Sequence, residues 1–175
     1  PLKVMIVDDS SVYRRLLTMV MEEMPDLSVV GTAPTGPIAL KKIPQLGPDV
    51  VLLDIEMPEM SGIQVLEAIK AESPEVTVVL VSGVNSRSAD IVVEGLSKGA
   101  ADFIAKPEGA SLEDNRQRLK RELTAVFNGV RARNNLRPAM QPAGAPEPMP
   151  APISAPPVAR RAAPAAAAAA LALGA

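Results

Sequence analysis

Short apolar runs alternate with amphipathic segments along most of the chain. Five runs rich in β-branched residues and leucine predict strands at Val4–Val7, Leu27–Val30, Val50–Leu53, Val76–Val81 and Phe103–Ala105. After each run, apolar positions recur at intervals of three and four, which predicts a helix. Because the strands lack polar alternation, they need burial on both faces. We therefore expect an α/β fold, a flavodoxin-like doubly wound parallel sheet of five strands with helices on both sides.

Spacing and turn residues also predict where two of the helices bury side chains and where one ends. The expected buried face of the first helix consists of Val12, Leu16, Met19, Val20 and Met24. That of the fourth helix consists of Ile91, Val92 and Leu96. Pro44 and the Gly47-Pro48 pair are expected to end the second helix, since proline removes a helical hydrogen bond.

Composition changes at Arg137-Pro138. From Pro138 to the end, prolines are spread among alanines, and the only charged side chains are those of Glu147, Arg160 and Arg161. Such a segment has too few large apolar side chains to build a core. We expect a globular domain over residues 2–135, followed by a disordered Pro/Ala-rich tail or linker over residues 136–175.

Composition excludes several kinds of chemistry. The chain contains no cysteine and no histidine, so it can form neither a disulfide nor a thiolate or imidazole metal site. A histidine-dependent catalytic triad is also excluded. The net charge of −2 argues against a bulk nucleic-acid binder. No apolar run reaches membrane-spanning length and the start does not resemble a signal peptide, so we expect a cytoplasmic protein without membrane insertion.

Polar residues follow four of the predicted strands. Asp8 and Asp9 end the first, Asp54 the third, Ser82 the fourth and Lys106 the fifth. Each residue alone is typical of a helix cap, a turn or a solvated charge. In a parallel sheet, however, all of these strand ends meet at one edge, which is where such folds bind ligands.

The residue types at this edge favour phosphoryl chemistry. Three neighbouring carboxylates repel one another unless a cation neutralises them, and an all-oxygen ligand set favours Mg²⁺ over zinc. A hydroxyl and an ammonium group suit the oxygens of a phosphoryl group. Asp54 would then be the nucleophile that forms an acyl phosphate, with Mg²⁺ and Lys106 sharing the negative charge.

Four motifs carry a resemblance to a known family. They are Val-Asp-Asp-Ser at 7–10, Leu-Asp-Ile-Glu-Met-Pro-Glu-Met-Ser-Gly at 53–62, Val-Ser-Gly at 81–83 and Asp-Phe-Ile-Ala-Lys-Pro at 102–107. In this order and spacing, the chain from about Leu2 to Arg133 resembles the receiver domain of bacterial two-component response regulators. The resemblance implies that Asp54 accepts a phosphoryl group from a histidine kinase.

The same resemblance assigns roles to the other site residues. It implies that Mg²⁺ is held by Asp8, Asp9, Asp54 and the backbone carbonyl of Glu56. Ser82 would be the switch hydroxyl and Lys106 the ionic partner of the phosphate.

Two further expectations follow from the family. Phe103 would occupy the aromatic switch position, although an ordinary core phenylalanine is an equally good interpretation, and the peptide bond before Pro107 would be cis. Phosphorylation would repack the face formed by the fourth helix, fifth strand and fifth helix, and so change its contact with an output domain.

A narrower resemblance is to the receiver of the chemotaxis protein-glutamate methylesterase. It rests on the segments at 14–17, 29–33, 54–58 and 99–107, and the Pro/Ala-rich tail suits the linker to the esterase domain. That output domain would lie beyond Ala175. Two positions depart from the family pattern: Ser61 stands where aspartate is usual, and Pro37 stands where the second helix should begin.

Two alternatives remain open. The chain could be a stand-alone receiver or one with another output. It could also be a Mg²⁺-dependent phosphohydrolase that uses the same acids. The hydrolase needs a second catalytic acid two residues after the nucleophile, and Glu56 at that position is followed by a Met-Pro turn better suited to presenting its carbonyl.

Overall fold

The computed structural model describes residues 1–83, 88–109 and 111–140. A single parallel sheet contains β1 (Leu2–Val7), β2 (Leu27–Ala33), β3 (Val50–Asp54), β4 (Thr77–Ser82) and β5 (Asp102–Ala105). The helices are α1 (Ser11–Glu22), α2 (Gly36–Leu46), α3 (Gly62–Glu72), α4 (Ser88–Ser97) and α5 (Leu112–Met140). Strands and helices alternate strictly, as the hydrophobic pattern predicts.

The strand order is β2-β1-β3-β4-β5, and every neighbouring pair is parallel. Helices α1 and α5 cover one side of the sheet over one buried apolar cluster, and α2, α3 and α4 cover the other side over a second cluster. All five residues of β3 are buried, which explains why this strand is apolar on both faces. The predicted doubly wound five-stranded parallel sheet is confirmed.

Two of the predicted helix faces are partly wrong. In α1, Val12 and Met19 are 74% and 46% exposed, whereas Leu17 and Met21 are buried beside the expected Leu16 and Val20. The apolar residues of this helix occupy more than one face, so the spacing alone allowed two adjacent stripes.

In α4, Leu96 is 43% exposed, and the neighbouring Gly95 faces the core instead. A Cβ atom at Gly95 would lie 2.2 Å from Leu80 Cδ1. A glycine contact carries no apolar signal in the sequence, which explains why the hydrophobic pattern alone missed it.

Pro44 lies inside α2 and does not end it. The helix continues to Leu46 and stops at Gly47, which has the left-handed conformation common after helices and donates its N–H to Ile43 O. In this last turn Pro44 forgoes only one hydrogen bond. The Gly47 signal, also recognised in the sequence, therefore sets the helix end.

Helix α5 continues past residue 135 to Met140, and residues Pro1–Met140 form one compact unit. Residues 141–175 of the predicted tail lie outside the described residues. Within the described residues, no helix combines the length and the apolar character needed to cross a membrane.

The turn after β3 passes close to the end of that strand. Ser61 caps α3: its hydroxyl accepts the N–H of Gln64, whose side chain accepts the N–H of Ser61 in return. The next residue, Gly62, donates its N–H to Ile55 O at 3.0 Å. A Cβ atom on Gly62 would lie 2.2 Å from the backbone oxygen of Asp54. Only glycine allows this approach without displacing the backbone.

Replacing Gly62 with alanine should therefore destabilise the domain. We expect Gly62→Ala to lower the free energy of unfolding by about 1–3 kcal/mol, because the new methyl group meets backbone atoms that cannot turn aside. Urea unfolding followed by circular dichroism measures the change. Gly129→Ala is the matched control: its Cβ would meet only Arg133 Nη2 at 3.8 Å inside α5. That variant should gain roughly 0.5–1 kcal/mol. Equal effects of the two substitutions would contradict this account of the turn.

Candidate functional site

The register of the sheet brings four predicted site residues to its carboxyl edge. The residue before Asp8 pairs with the residue before Asp54 across β1 and β3. Ser82 follows the partner of Asp54 on β4, and Lys106 follows the partner of Ser82 on β5. These four side chains thus leave neighbouring strands at the same level.

Three polar side chains at this edge are buried. Asp8, Asp54 and Ser82 are only 1%, 2% and 1% exposed, and they are the only polar or charged residues among the buried ones in the described part of the chain. Buried carboxylates are costly unless they are paired with a cation. Their burial therefore indicates a role that ordinary caps or turns do not explain.

Lys106 lies between the two buried carboxylates. Its Nζ donates a hydrogen bond to Asp54 Oδ2 at 2.8 Å and lies 2.8 Å from Asp8 Oδ2. Burial lowers the pKa of Lys106, but its hydrogen bond to Asp54, its close contact with Asp8 and the charges of both carboxylates outweigh that effect and raise the pKa above its ordinary value. The ammonium group therefore stays charged and partly neutralises two carboxylates.

The backbone of Lys106 is held as well. Its N–H donates to Ser82 O at 2.7 Å, which continues the pairing of β4 and β5 beyond the strand ends. The lysine and Ser82 are thus coupled through the main chain. Any movement of one should be felt by the other.

The pKa of Asp54 is perturbed by its surroundings at this edge. Its Oδ1 accepts the N–H of Glu56 at 3.3 Å. Burial raises the pKa of Asp54 to about 6; the hydrogen bond and charge of Lys106 oppose this increase, and the charge of Asp8 adds to it. A cation bound beside Asp54 would favour its charged form, which is the reactive one.

Asp8 is oriented by the start of α1. Its Oδ1 accepts the N–H of Ser10 at 2.8 Å, and Arg14 donates to its backbone oxygen. Its Oδ2 accepts no hydrogen bond from any described residue, although Lys106 is close enough for an ionic contact. Such a buried carboxylate oxygen, which is ion-paired but not hydrogen-bonded, is suited to a metal ion as well.

Asp8, Asp9 and Asp54 fit a divalent cation. Each offers one carboxylate oxygen, and these atoms lie within 4.8 Å of one another. Asp9 is exposed and so opens the cluster toward solvent, from which an ion could enter. The all-oxygen donor set, with an Asp8 Oδ2 that accepts no hydrogen bond from the described residues, suits Mg²⁺.

The predicted switch residues lie near this cluster. The Ser82 hydroxyl is buried and donates to Gly83 O at 3.3 Å, a long hydrogen bond that leaves it free to find a better acceptor. Phe103 is half-buried against the apolar cluster beneath α2, α3 and α4. The switching roles of both residues stay predictions.

The prediction of a cis peptide bond before Pro107 is wrong. No described peptide bond is cis, including the one between Lys106 and Pro107. Trans is the default even before proline, by about 0.5–1 kcal/mol, and Lys106 reaches both carboxylates from a trans bond.

Tyr13 is a neighbour of this cluster that the sequence analysis missed. The centroid of its ring lies 4.8 Å from Lys106 Nζ. Burial, followed by the negative charges of Asp8, Glu122 and Asp54, raises the pKa of Tyr13, so the phenol stays neutral. The residue is one turn into α1, and the only sequence signal was an aromatic side chain shortly after the paired acids.

Comparisons with known proteins agree with this geometry. Residues 4–117 match the family model described as the response regulator receiver domain. A protein-glutamate methylesterase/protein-glutamine glutaminase from Nocardioides sp. is 42% identical over 123 residues, which cover 67% of this chain and 34% of that protein. The protein of the same name from Bacillus licheniformis is 45% identical over 109 residues, covering 62% and 30%. The chain spans about a third of the length of these relatives.

A solved structure shows the same fold. The crystal structure of the response regulator domain of Thermotoga maritima CheB has a TM-score of 0.65 and 37% sequence identity, covering 73% of this chain and 95% of that one. The matched residues 4–117 make up more than half of the chain and include the clustered side chains at the carboxyl edge. The chain therefore belongs to the response regulator receiver family and is similar to the receivers of CheB methylesterases.

Proposed function

We propose that this chain is a phosphorylation-dependent switch in which Asp54 accepts a phosphoryl group from a histidine kinase. The observation that carries the proposal is the buried Asp54 carboxylate at the end of β3, hydrogen-bonded to Lys106 and clustered with Asp8 and Asp9. Phosphorylation-dependent switching is general in the receiver family to which the chain belongs.

In the proposed transfer, a carboxylate oxygen of Asp54 attacks the phosphorus atom of a phosphohistidine. An O–P bond forms, the P–N bond breaks, and the imidazole leaves with the electron pair and takes up a proton. Asp8, Asp9, Asp54 and the backbone carbonyl of Glu56 would hold Mg²⁺. When bound, this ion supplies positive charge against the carboxylates and the phosphoryl oxygens.

The chain's own cation also has a role in this step. Lys106 Nζ already lies 2.8 Å from Asp54 Oδ2, so a phosphoryl group added to Asp54 would place an oxygen within its reach. The ammonium would then exchange a carboxylate oxygen for a phosphoryl oxygen. The acyl phosphate carries about two negative charges in place of the single charge of the carboxylate, so it should also attract the loosely bonded Ser82 hydroxyl.

Coupling to the outside would run through β4 and β5. Lys106 and Ser82 are joined by a backbone hydrogen bond. A movement of either residue would therefore be transmitted to the ends of β4 and β5, and from there to the helices that follow them, α4 and α5. Helix α4 exposes Val93 and Leu96 by 67% and 43%, an apolar surface suited to a partner domain. We propose the face formed by α4, β5 and α5 as the contact with the output.

The proposed output is a protein-glutamate methylesterase domain. The support is the name of the relatives, of which this chain spans only about a third. Residues 2–135 would be the phosphoacceptor domain, residues 136–175 the linker, and the site of action cytoplasmic. Because the chain has no histidine, a serine–histidine hydrolase would have to lie outside residues 1–175. A phosphohydrolase gains no support, since the Glu56 side chain is exposed.

The phosphoacceptor role predicts one covalent adduct. Incubated with Mg²⁺ and acetyl phosphate, the chain should take up one phosphoryl group, detected by intact mass and lost on mild base treatment. Asp54→Asn should abolish the adduct. Asp49→Asn, at the opposite end of the same strand, should leave it unchanged. Continuous turnover of phosphate esters, or an adduct that survives Asp54→Asn, would contradict the proposal.

The raised pKa of Asp54 predicts a pH-dependent stability in the presence of a chelator. The folded state holds the Asp54 proton up to about pH 6, whereas an unfolded aspartate loses it near its ordinary value of about 3.9. Folding therefore binds protons between these values, and the stability contributed by protonated Asp54 is lost as the pH rises from about 4 through 6.

The variant Asp54→Asn isolates this effect. At pH 7 its free energy of unfolding should exceed that of the wild type by about 1–3 kcal/mol. Below about pH 4 the two free energies should be equal. Mg²⁺ should reduce this difference in stability at pH 7, because it should stabilise the wild type more than the variant. Urea titrations at several pH values test this. A variant less stable than the wild type at pH 7 would contradict the prediction. It would show that the attraction of Lys106 for the Asp54 carboxylate outweighs the cost of burying that carboxylate.

A further inference from the structure

We propose that Tyr13 is a positioning residue whose aromatic face holds the Lys106 ammonium against Asp8 and Asp54. The inference rests on the proposed role of Lys106 as the cation that meets the phosphoryl group. It adds a third group, from α1, to the two carboxylates that contact the ammonium of this lysine.

The geometry places Lys106 Nζ among three groups. It lies 2.8 Å from Asp54 Oδ2, 2.8 Å from Asp8 Oδ2 and 4.8 Å from the centroid of the Tyr13 ring. An ammonium within about 6 Å of a ring centroid is attracted by the negative face of the ring. The two carboxylates form ion pairs with the ammonium, and the aromatic ring adds a third contact.

The ring is held by the same turn that orients Asp8. Ser10 donates its N–H to Asp8 Oδ1 at 2.8 Å, and its hydroxyl accepts the N–H of Tyr13 at 3.2 Å. The body of the ring packs against the apolar cluster beneath α1 and α5. Asp8 and the ring of Tyr13 are therefore placed by one short, capped segment, which keeps their separation constant.

The hydroxyl of Tyr13 does not explain its place. This oxygen is buried and has no hydrogen-bond partner among the described residues. Burying a hydroxyl without a partner is unfavourable, so the site uses the ring rather than the polar group. Phenylalanine should then replace tyrosine without loss, whereas leucine, which has no aromatic face, should not.

The contact with the Tyr13 ring matters because the Lys106 ammonium has to exchange the Asp54 carboxylate for a phosphoryl oxygen. Its side chain is flexible and 18% exposed, so an ammonium released from Asp54 could turn toward solvent. Attraction to the ring face would keep the ammonium at the carboxyl edge of the sheet. The cation would then be close to the phosphoryl oxygens during transfer, and it would stay close to the phosphorylated Asp54.

The first test needs no phosphorylation. In nuclear magnetic resonance spectra, the ε-methylene protons of Lys106, assigned by comparison with Lys106→Met, should be shifted upfield by the ring current. The shift should persist in Tyr13→Phe and vanish in Tyr13→Leu. Phe127→Leu, which removes a buried ring from the same apolar cluster, is the matched control and should keep the shift.

The second test measures the rate of adduct formation with Mg²⁺ and acetyl phosphate. Tyr13→Leu should be about fivefold slower than wild type, as expected for the loss of one partly buried cation–π contact. Tyr13→Phe and Phe127→Leu should retain the wild-type rate. Rescue by phenylalanine separates positioning from a simple loss of packing.

The outcomes are distinct. Methylene shifts that are equal in Tyr13→Leu and wild type overturn the contact between the ring and the lysine. A persistent contact with an unchanged rate in Tyr13→Leu, or equal slowing in Phe127→Leu, overturns the positioning role. A wild-type chain that takes up no phosphoryl group overturns the proposed function, whereas the methylene shifts still decide whether the ring holds Lys106.

Discussion

Asp8 and Asp54 are buried side by side, and one ammonium group, that of Lys106, serves both. Two carboxylates at 1% and 2% exposure with one cation leave an excess of negative charge in a poorly solvated place. Burial is the main reason that the pKa of Asp54 is raised to about 6, and the negative charge of Asp8 adds to this increase. The site thus suits a further cation, and the neighbouring Asp9 offers a third carboxylate oxygen within 4.8 Å of the other two.

The fold provides this arrangement at little local cost. Parallel pairing aligns the ends of β1, β3, β4 and β5, so four residues distant in sequence become neighbours without any unusual loop. Gly62 lets the turn after β3 pass over Asp54, and Ser10 links the orientation of Asp8 to the start of α1. Stability and site geometry therefore depend on the same few contacts, which is why substitutions near Asp54 should alter both.

The sheet and the cluster could be predicted because both depend on strands, whose apolar runs and terminal polar residues are visible in the sequence. Helix details were harder, since Val12 and Met19 belong to a second apolar stripe on α1 that stays exposed. Tyr13 was missed for another reason: its contact with Lys106 joins a helix to a strand end, and no spacing rule relates the two. The prediction of a cis bond before Pro107 came from the family resemblance rather than from any feature of this sequence, and the bond is trans.

The central claim is that a phosphoryl group on Asp54 takes Lys106 from the carboxylate while Asp8 and Asp9 hold the metal. A crystal structure of the chain with Mg²⁺ and beryllium fluoride, which mimics a phosphoryl group, tests it most directly. We expect beryllium bonded to a carboxylate oxygen of Asp54, Lys106 Nζ within hydrogen-bond distance of a fluoride, and the ion in contact with Asp8 and Asp9. Beryllium on another residue, or a metal that avoids these acids, would contradict the account.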